Sequence, residues 1–166
     1  MKSKLKKIVI PIFLAVICGT LCGRLMFNIY EEKGSSTLNS NVIYLLLDTS
    51  YNNYDEMKEK TDYILSHKIA QGYCIHIVSG GARGADSLAK RYAQEHGYQY
   101  HEFPADWHTY GKSAGYVRNR EMHVFISQFP FRGVLCFWDG QSKGTAHNFE
   151  LCKTYNNPLR IYKYQA

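Results

Sequence analysis

Residues 77–92 read Ile-Val-Ser-Gly-Gly-Ala-Arg-Gly-Ala-Asp-Ser-Leu-Ala-Lys-Arg-Tyr, and the fold is decided by how this stretch is read. Ile75, Ile77 and Val78 suit a strand covered on both faces, whereas Leu88, Ala89, Tyr92 and Ala93 recur at the spacing of one helical face. Between them, Gly80, Gly81 and Gly84 permit backbone angles that side chains forbid, so the turn's amides can converge on a bound group. An anion is the group expected there. The first turn of a helix has unpaired N–H donors and a partial positive charge, to which Arg83 adds a full one. Ser79 is a further hydrogen-bond donor. A tight strand-to-helix connection without any ligand is the alternative, and the rest of the chain has to decide between them.

Outward from this unit, strands and helices alternate. Val42 to Leu47 is a continuous apolar run that predicts a first strand, and Asp48 to Asn53 a loop. Tyr54 to Ala70 predicts a helix burying Met57, Tyr63, Ile64 and Ile69, ended by Gly72 as a C′ glycine. Tyr73 to Val78 and Tyr98 to Phe103 are the next strands. Pro104 to Ser113 reads as a loop, and Ala114 to about Gln128 as a helix with a stripe of Met122, Phe125, Ile126 and Phe129. Gly133 to Trp138 is another strand, Thr145 to about Tyr155 the last helix, and Leu159 to Tyr162 a terminal strand. Short connections between alternating elements imply an α/β, Rossmann-like three-layer sandwich on a mostly parallel sheet.

Ligands of such sheets bind at the carboxyl ends of strands. The loop Asp139 to Thr145 leaves from one of these ends and repeats the logic of the opening stretch: Gly140 and Gly144 lead to a helix start, with Ser142 as donor and Lys143 as cation. Lys112 precedes the third helix, and Arg118 in its first turns is placed to grip a phosphate through two hydrogen bonds. Asp106 and Trp107 read either as a pocket wall, with an acceptor for sugar hydroxyls and a ring, or as a turn aspartate and a core-edge aromatic. His67, His101 and His123 show no ligand spacing, so no metal and no cofactor is inferred.

The net charge of +6 does not point to nucleic acid, because Lys2, Lys4, Lys6, Lys7 and Arg24 precede every acidic residue and leave the rest close to neutral. These lysines precede an apolar run from Ile8 to Gly23 that Leu25 to Phe27 extend past Arg24. That is the pattern of a secretion signal or signal anchor. A full span needs about 20 apolar residues, which a snorkelling Arg24 allows. Residues 1–30 therefore read as an uncleaved single-pass anchor with its N-terminus inside, 31–41 as a linker and 42–166 as the globular domain. A start at Met26 would bypass the anchor. Cys74, Cys136 and Cys152 fall on core elements and read as reduced thiols.

Four stretches together carry a resemblance: 79–89 (Ser-Gly-Gly-Ala-Arg-Gly-Ala-Asp-Ser-Leu-Ala), 104–115 (Pro-Ala-Asp-Trp, then Tyr-Gly-Lys-Ser-Ala-Gly), Arg118-Asn119 with Met122, and 137–147 (Phe-Trp-Asp-Gly-Gln-Ser-Lys-Gly-Thr-Ala-His). The chain resembles the YspA-like branch of the SLOG superfamily, which is named for DNA-processing proteins of the Smf/DprA type and for the LOG phosphoribohydrolases. The resemblance implies a Rossmann-like domain with a nucleotide-like ligand at Ser79, Gly80, Gly81, Arg83, Gly84, Lys112, Arg118, Gly140, Ser142, Gly144 and Thr145. Two departures matter. Asn148 stands where the phosphoribohydrolases have a catalytic glutamate, and Leu47-Asp48-Thr49 replaces a glycine-arginine turn after the first strand. The expectation is therefore a membrane-anchored sensor or effector that binds a nucleotide-derived ligand, with its catalytic residues undefined and homo-oligomerisation left open. The alternatives are hydrolysis of the N-glycosidic bond of nucleoside 5′-monophosphates and DprA-like binding of single-stranded DNA.

Overall fold

The computed structural model describes residues 41–81 and 87–163. Strand β1 (Val42–Thr49) lies at the middle of a five-stranded sheet in the order β3-β2-β1-β4-β5. The other strands are β2 (Cys74–Ser79), β3 (Gln99–Glu102), β4 (Arg132–Trp138) and β5 (Leu159–Lys163), and every pairing is parallel. The chain runs outward from β1 through β2 to β3, then returns to the other side of β1 with β4 and continues to β5. The point of reversal, where ligands of such sheets bind, is the carboxyl end of β1.

The side chains of β1 alternate between two layers. Ile43, Leu45 and Leu47 join a buried cluster with Ile75, Ile77, Leu135 and Phe137, which is covered by helix α1 (Tyr54–Ala70) and helix α2 (Ser87–His96). Tyr44, Leu46 and Asp48 face the opposite layer, formed by helix α4 (Ala114–Ser127) and helix α5 (Lys143–Tyr155). There Met122, Phe125, Ile126, Leu151 and Cys152 are buried, and Tyr44 stacks on Phe129 at 3.7 Å between ring centres. Each fully buried aliphatic or aromatic side chain contributes about 1.5–3 kcal/mol. The two faces are tied differently, since the α1–α2 layer adds a polar clasp in which the buried Tyr92 donates its hydroxyl to Asp62 at 2.7 Å.

The ends of the elements follow from local chemistry. Asn53 caps α1 by accepting from the Glu56 amide at 3.2 Å, while Glu56 accepts from the Asn53 side chain in return. Gly72, at φ +78°, takes the left-handed turn expected after this helix. Asn156, at φ 51°, closes α5 in the same conformation.

Several expectations are corrected. Strand β1 runs two residues further than Leu47, because β4 continues alongside it with Asp48 opposite Cys136 and Thr49 opposite Phe137. In α1 the buried line is Tyr54, Met57, Thr61 and Leu65, so Tyr63 (76% exposed) and Ile69 (44%) face water. Residues 104–113 are not an open loop: they hold a one-turn helix α3 (Trp107–Tyr110) and a 3-10 turn (Gly111–Ser113). Helix α5 begins at Lys143, two residues before Thr145. Cys74 is exposed, whereas Cys136 and Cys152 are buried thiols. The anchor expected over 1–30 and the linker over 31–41 fall almost wholly outside the described residues. Among the described residues no helix is long and apolar enough to cross a membrane.

Candidate functional site

Strands β1, β2 and β4 deliver their carboxyl ends to one crevice, roofed by the starts of α4 and α5. Its open part is a cleft of about 160 Å³ lined by Trp107 of α3, Lys112 of the 3-10 turn, Gly115, Tyr116, Arg118 and Asn119 of α4, and Gly144 of α5. Trp107 and Tyr116 are large aromatics left 63% and 45% exposed. Exposed rings beside two cations form a surface that can stack on a planar group and hold an anion.

Arg118 crosses the crevice. Its Nη1 donates to the Gly80 carbonyl at 2.9 Å and its Nε to Asn119 Oδ1 at 3.1 Å, while Asn119 donates onward to the Gly144 carbonyl at 3.2 Å. One guanidinium therefore links the end of β2 to the start of α5 through the first turns of α4. The buried Gly80 is required by this contact, because a Cβ built there falls inside the Arg118 guanidinium. Gly80→Ala is expected to push the flexible Arg118 guanidinium aside and break its hydrogen bond to the Gly80 carbonyl, a loss of about 0.5–1.5 kcal/mol of stability. Denaturant unfolding of the variant checks this, and an unchanged midpoint would disprove the contact.

The second glycine turn works differently from the expectation. Asp139 Oδ1 accepts from the amides of Gln141 (2.9 Å) and Ser142 (2.8 Å), so the loop supplies its own anion, and these bonds hold the Asp139 carboxyl below the usual range. Ser142 caps α5, its Oγ accepting from the Thr145 amide at 3.3 Å. The amides still directed outward at the helix start are those of Lys143 and Gly144. Gly140, at φ +85°, shapes the turn and lies against the Lys163 side chain rather than in the cleft.

Beneath Arg118 lies a seam of buried polar groups that no single stretch of sequence announces. Asp48, one residue before the end of β1, has its Oδ2 sealed from solvent and without a hydrogen bond of good geometry. Burial raises its carboxyl above the usual carboxylate range, against the lowering influence of Thr145, Asn148 and Arg118. Asn148 is fully buried and influences both Asp48 and His123, yet neither of its amide atoms makes a hydrogen bond of good geometry. Arg132 Nε donates to Asn157 Oδ1 at 2.7 Å, which turns the Asn157 amide nitrogen toward His123 Nδ1 at 3.1 Å. His123 Nδ1 is then the acceptor and its buried Nε2 carries the proton. Burial lowers this histidine to about 4, so the ring is neutral.

Of the expected ligand residues, the structure brings Lys112, Arg118, Gly144 and the Trp107 wall to the cleft. Gly80 and Thr145 lie just behind, on Arg118 and Asp48 respectively. Ser79 is buried at the end of β2 with its hydroxyl unpartnered. Gly81, at φ +62°, faces the Glu102 side chain, where a Cβ would come within 2.6 Å of it. That carboxylate, paired with Lys90 at 3.0 Å, opposes an anion on this side of the turn. Arg83 and Gly84 lie outside the described residues. Asp106 is a helix cap, accepting from the Thr109 amide at 3.0 Å, and does not line the cleft. Tyr116 and Asn119 line it without being among the expected ligand residues, although both lie within two residues of Arg118 on α4. Among the described residues no cluster of potential metal ligands occurs.

Comparison with known proteins agrees with the resemblance. The gene 61 protein of Mycobacterium phage D29 is 39% identical over 82 residues, covering 45% of this chain and 61% of that protein, so the chain spans about three fifths of its length. Among solved structures, the translation initiation factor eIF-2B of Pyrococcus horikoshii OT3 matches 74% of this chain and 39% of its own at 11% identity and a TM-score of 0.44. The predicted subunit of tRNA methyltransferase from Methanocaldococcus jannaschii matches 72% and 66% at 15% identity and a TM-score of 0.36. Both structural likenesses are too distant to bear on function. Residues 64–110, which run from α1 through the glycine turn to α3, match the model of the YspA, cpYpsA-related SLOG family.

Proposed function

We propose that the crevice binds a small phosphorylated ligand of the nucleotide type, with its phosphate at Arg118 and Lys112 and its planar part against Trp107 and Tyr116. The observation that carries this reading is the Arg118 guanidinium set across the strand ends, beside Lys112 and two exposed rings. The cleft is smaller than the roughly 300–1,000 Å³ of pockets that enclose a drug-sized ligand. A phosphate with part of a sugar fits it, and the base would lie in the mouth. Trp107→Ala is then expected to weaken adenosine monophosphate binding by about 1–3 kcal/mol, the usual worth of a base-stacking ring, and to leave inorganic phosphate binding unchanged. Titration calorimetry with both ligands tests this, and equal losses for the two would refute the division of roles.

Binding fits better than turnover. The phosphoribohydrolase alternative needs an ionisable group beside the glycosidic bond, and Asn148 is neutral and buried. Release of free base from a panel of nucleoside monophosphates would reinstate that alternative. Attachment to a membrane through residues 1–30, and with it a role as an anchored sensor or effector, is the other part of the proposal. Fractionation of cells making the full chain tests it, recovery in the aqueous fraction being the result against it.

A further inference from the structure

The turn that leaves β2 is held between two long charged side chains. Gly80 carries the Arg118 guanidinium against its backbone, and Gly81 carries the Glu102 side chain, whose Cγ and Oε1 lie 2.6 Å from where a Gly81 Cβ would stand. Glu102 ends β3 in register with Ser79, so its carboxylate stands beside the last residue before the turn. Its Oε2 accepts from Lys90 at 3.0 Å, whereas Oε1 takes no hydrogen bond among the described residues. An ion pair whose side chains are 50% and 38% exposed adds at most about 1 kcal/mol of stability. What the pair fixes is the direction of the carboxylate.

We propose that Glu102 selects the sugar of the bound nucleotide, its Oε1 accepting from the 2′- and 3′-hydroxyls of a ribose whose phosphate is held at Arg118. The inference rests on the nucleotide reading given above and adds the ligand class, a ribonucleotide with a free diol. Gly80 and Gly81 are consecutive, about 3.8 Å apart at Cα, so little more than the backbone of the turn separates the guanidinium from the carboxylate. A sugar joined to a phosphate at Arg118 spans that gap. Glu102 is not in the wall of the cleft, which takes the phosphate and part of the sugar, so it meets the hydroxyl edge that the cleft leaves outside. Hydroxyls can donate and a carboxylate accepts, whereas a second phosphate in their place would meet like charge. In dinucleotide-binding sheets an acidic side chain about 20 residues past the glycine turn plays this part toward the ribose. Glu102 stands at that spacing from Gly81, on the strand beside the one that enters the turn.

Adenosine 5′-monophosphate and its 2′,3′-dideoxy counterpart are the probes, each titrated calorimetrically into the full chain. The unaltered protein should bind the dideoxy compound roughly tenfold more weakly, the worth of one charge-assisted hydrogen bond. Glu102→Ala should abolish this preference and bind the dideoxy compound no more weakly than before, a split that a general loss of structure would not produce. Adenosine 2′,5′-bisphosphate should bind the unaltered protein more weakly than the monophosphate, and tighter binding would overturn the proposal. Equal affinities of the unaltered protein for the monophosphate and the dideoxy compound would overturn the sugar assignment and leave the phosphate site standing, as would a preference that survives in Glu102→Ala. Failure of the unaltered protein to bind either nucleotide would overturn the nucleotide reading and this inference together.

Discussion

Arg118→Ala is expected to lower the affinity for a nucleoside monophosphate by roughly a hundredfold, about 3 kcal/mol, the usual cost of removing a charge-assisted pair from a desolvated site. The same change strips the Gly80 carbonyl and Asn119 Oδ1 of a donor, so about 1–2 kcal/mol of stability should go with it. Titration calorimetry and urea unfolding separate the two losses. Arg118→Lys should recover part of the stability and little of the affinity, because an ammonium cannot present the two parallel donors that hold a phosphate. If Arg118→Ala bound the monophosphate as tightly as the unaltered protein, the crevice would not be the binding site.

Acid is expected to destabilise this domain from about pH 6.5 downward, before carboxyls of ordinary pKa take up protons. His123 is fully buried and held down to about 4, chiefly by burial, compared with about 6.5 for an exposed ring. Between these values the unfolded chain binds a proton that the folded protein refuses. Stability is therefore complete above pH 6.5 and lost as pH falls toward 4, by about 3 kcal/mol for His123 alone. His76 is likewise lowered to about 4, by burial and then by the neighbouring His101, whose Nε2 lies 2.9 Å from its Nδ1. It is only half-buried and adds a smaller share. Asp62 and Asp139 have lowered carboxyls, whose contribution disappears only below their ordinary value of 3.8. Urea unfolding at about pH 7 and near pH 4.5 should show the loss, and His123→Gln should shrink it. A loss of the same size in His123→Gln as in the unaltered protein would mean that His123 is not held neutral.

Asp48 pulls the other way. Its carboxyl is raised in the folded state, so above the ordinary carboxylate value the unfolded chain sheds a proton that the folded protein keeps, and stability falls as pH rises through the raised value. Over the range from about 4 to 6.5 the two buried groups therefore oppose each other, His123 favouring the higher pH and Asp48 the lower.

The strand–turn–helix unit around Gly80 is legible because each part leaves its own periodic trace: buried strand, glycine cluster, helical stripe. The order of elements and the parallel sheet follow from that alternation. Partners of backbone amides leave no such trace. Asp139 and Ser142 read as ligand-loop residues when they are the loop's internal caps, and Asp106, which reads as either a pocket acceptor or a turn aspartate, caps a helix turn. Asp48 reads as loop because an acid after an apolar run resembles a strand end, and only the neighbouring β4 keeps it in the ladder. Tyr63 and Ile69 read as core because apolarity alone cannot say which side of α1 meets the sheet. The seam from Asp48 through Asn148 and His123 to Asn157 joins residues far apart in the chain, a juxtaposition no local pattern encodes.

The position of β1 between β2 and β4 bears on how the molecule assembles. The first three strands and their two helices can collapse as a unit in which one edge of β1 is bare, and that edge waits for β4, which starts only at Arg132. Gly80 and Asp48 belong to the early half, whereas Arg118 stands on α4, which packs on both β1 and β4, and Thr145 on α5, which follows β4 in the chain. An anion held between Gly80 and the start of α5 would tie the two sides of β1 together and slow the peeling of β4 from the sheet.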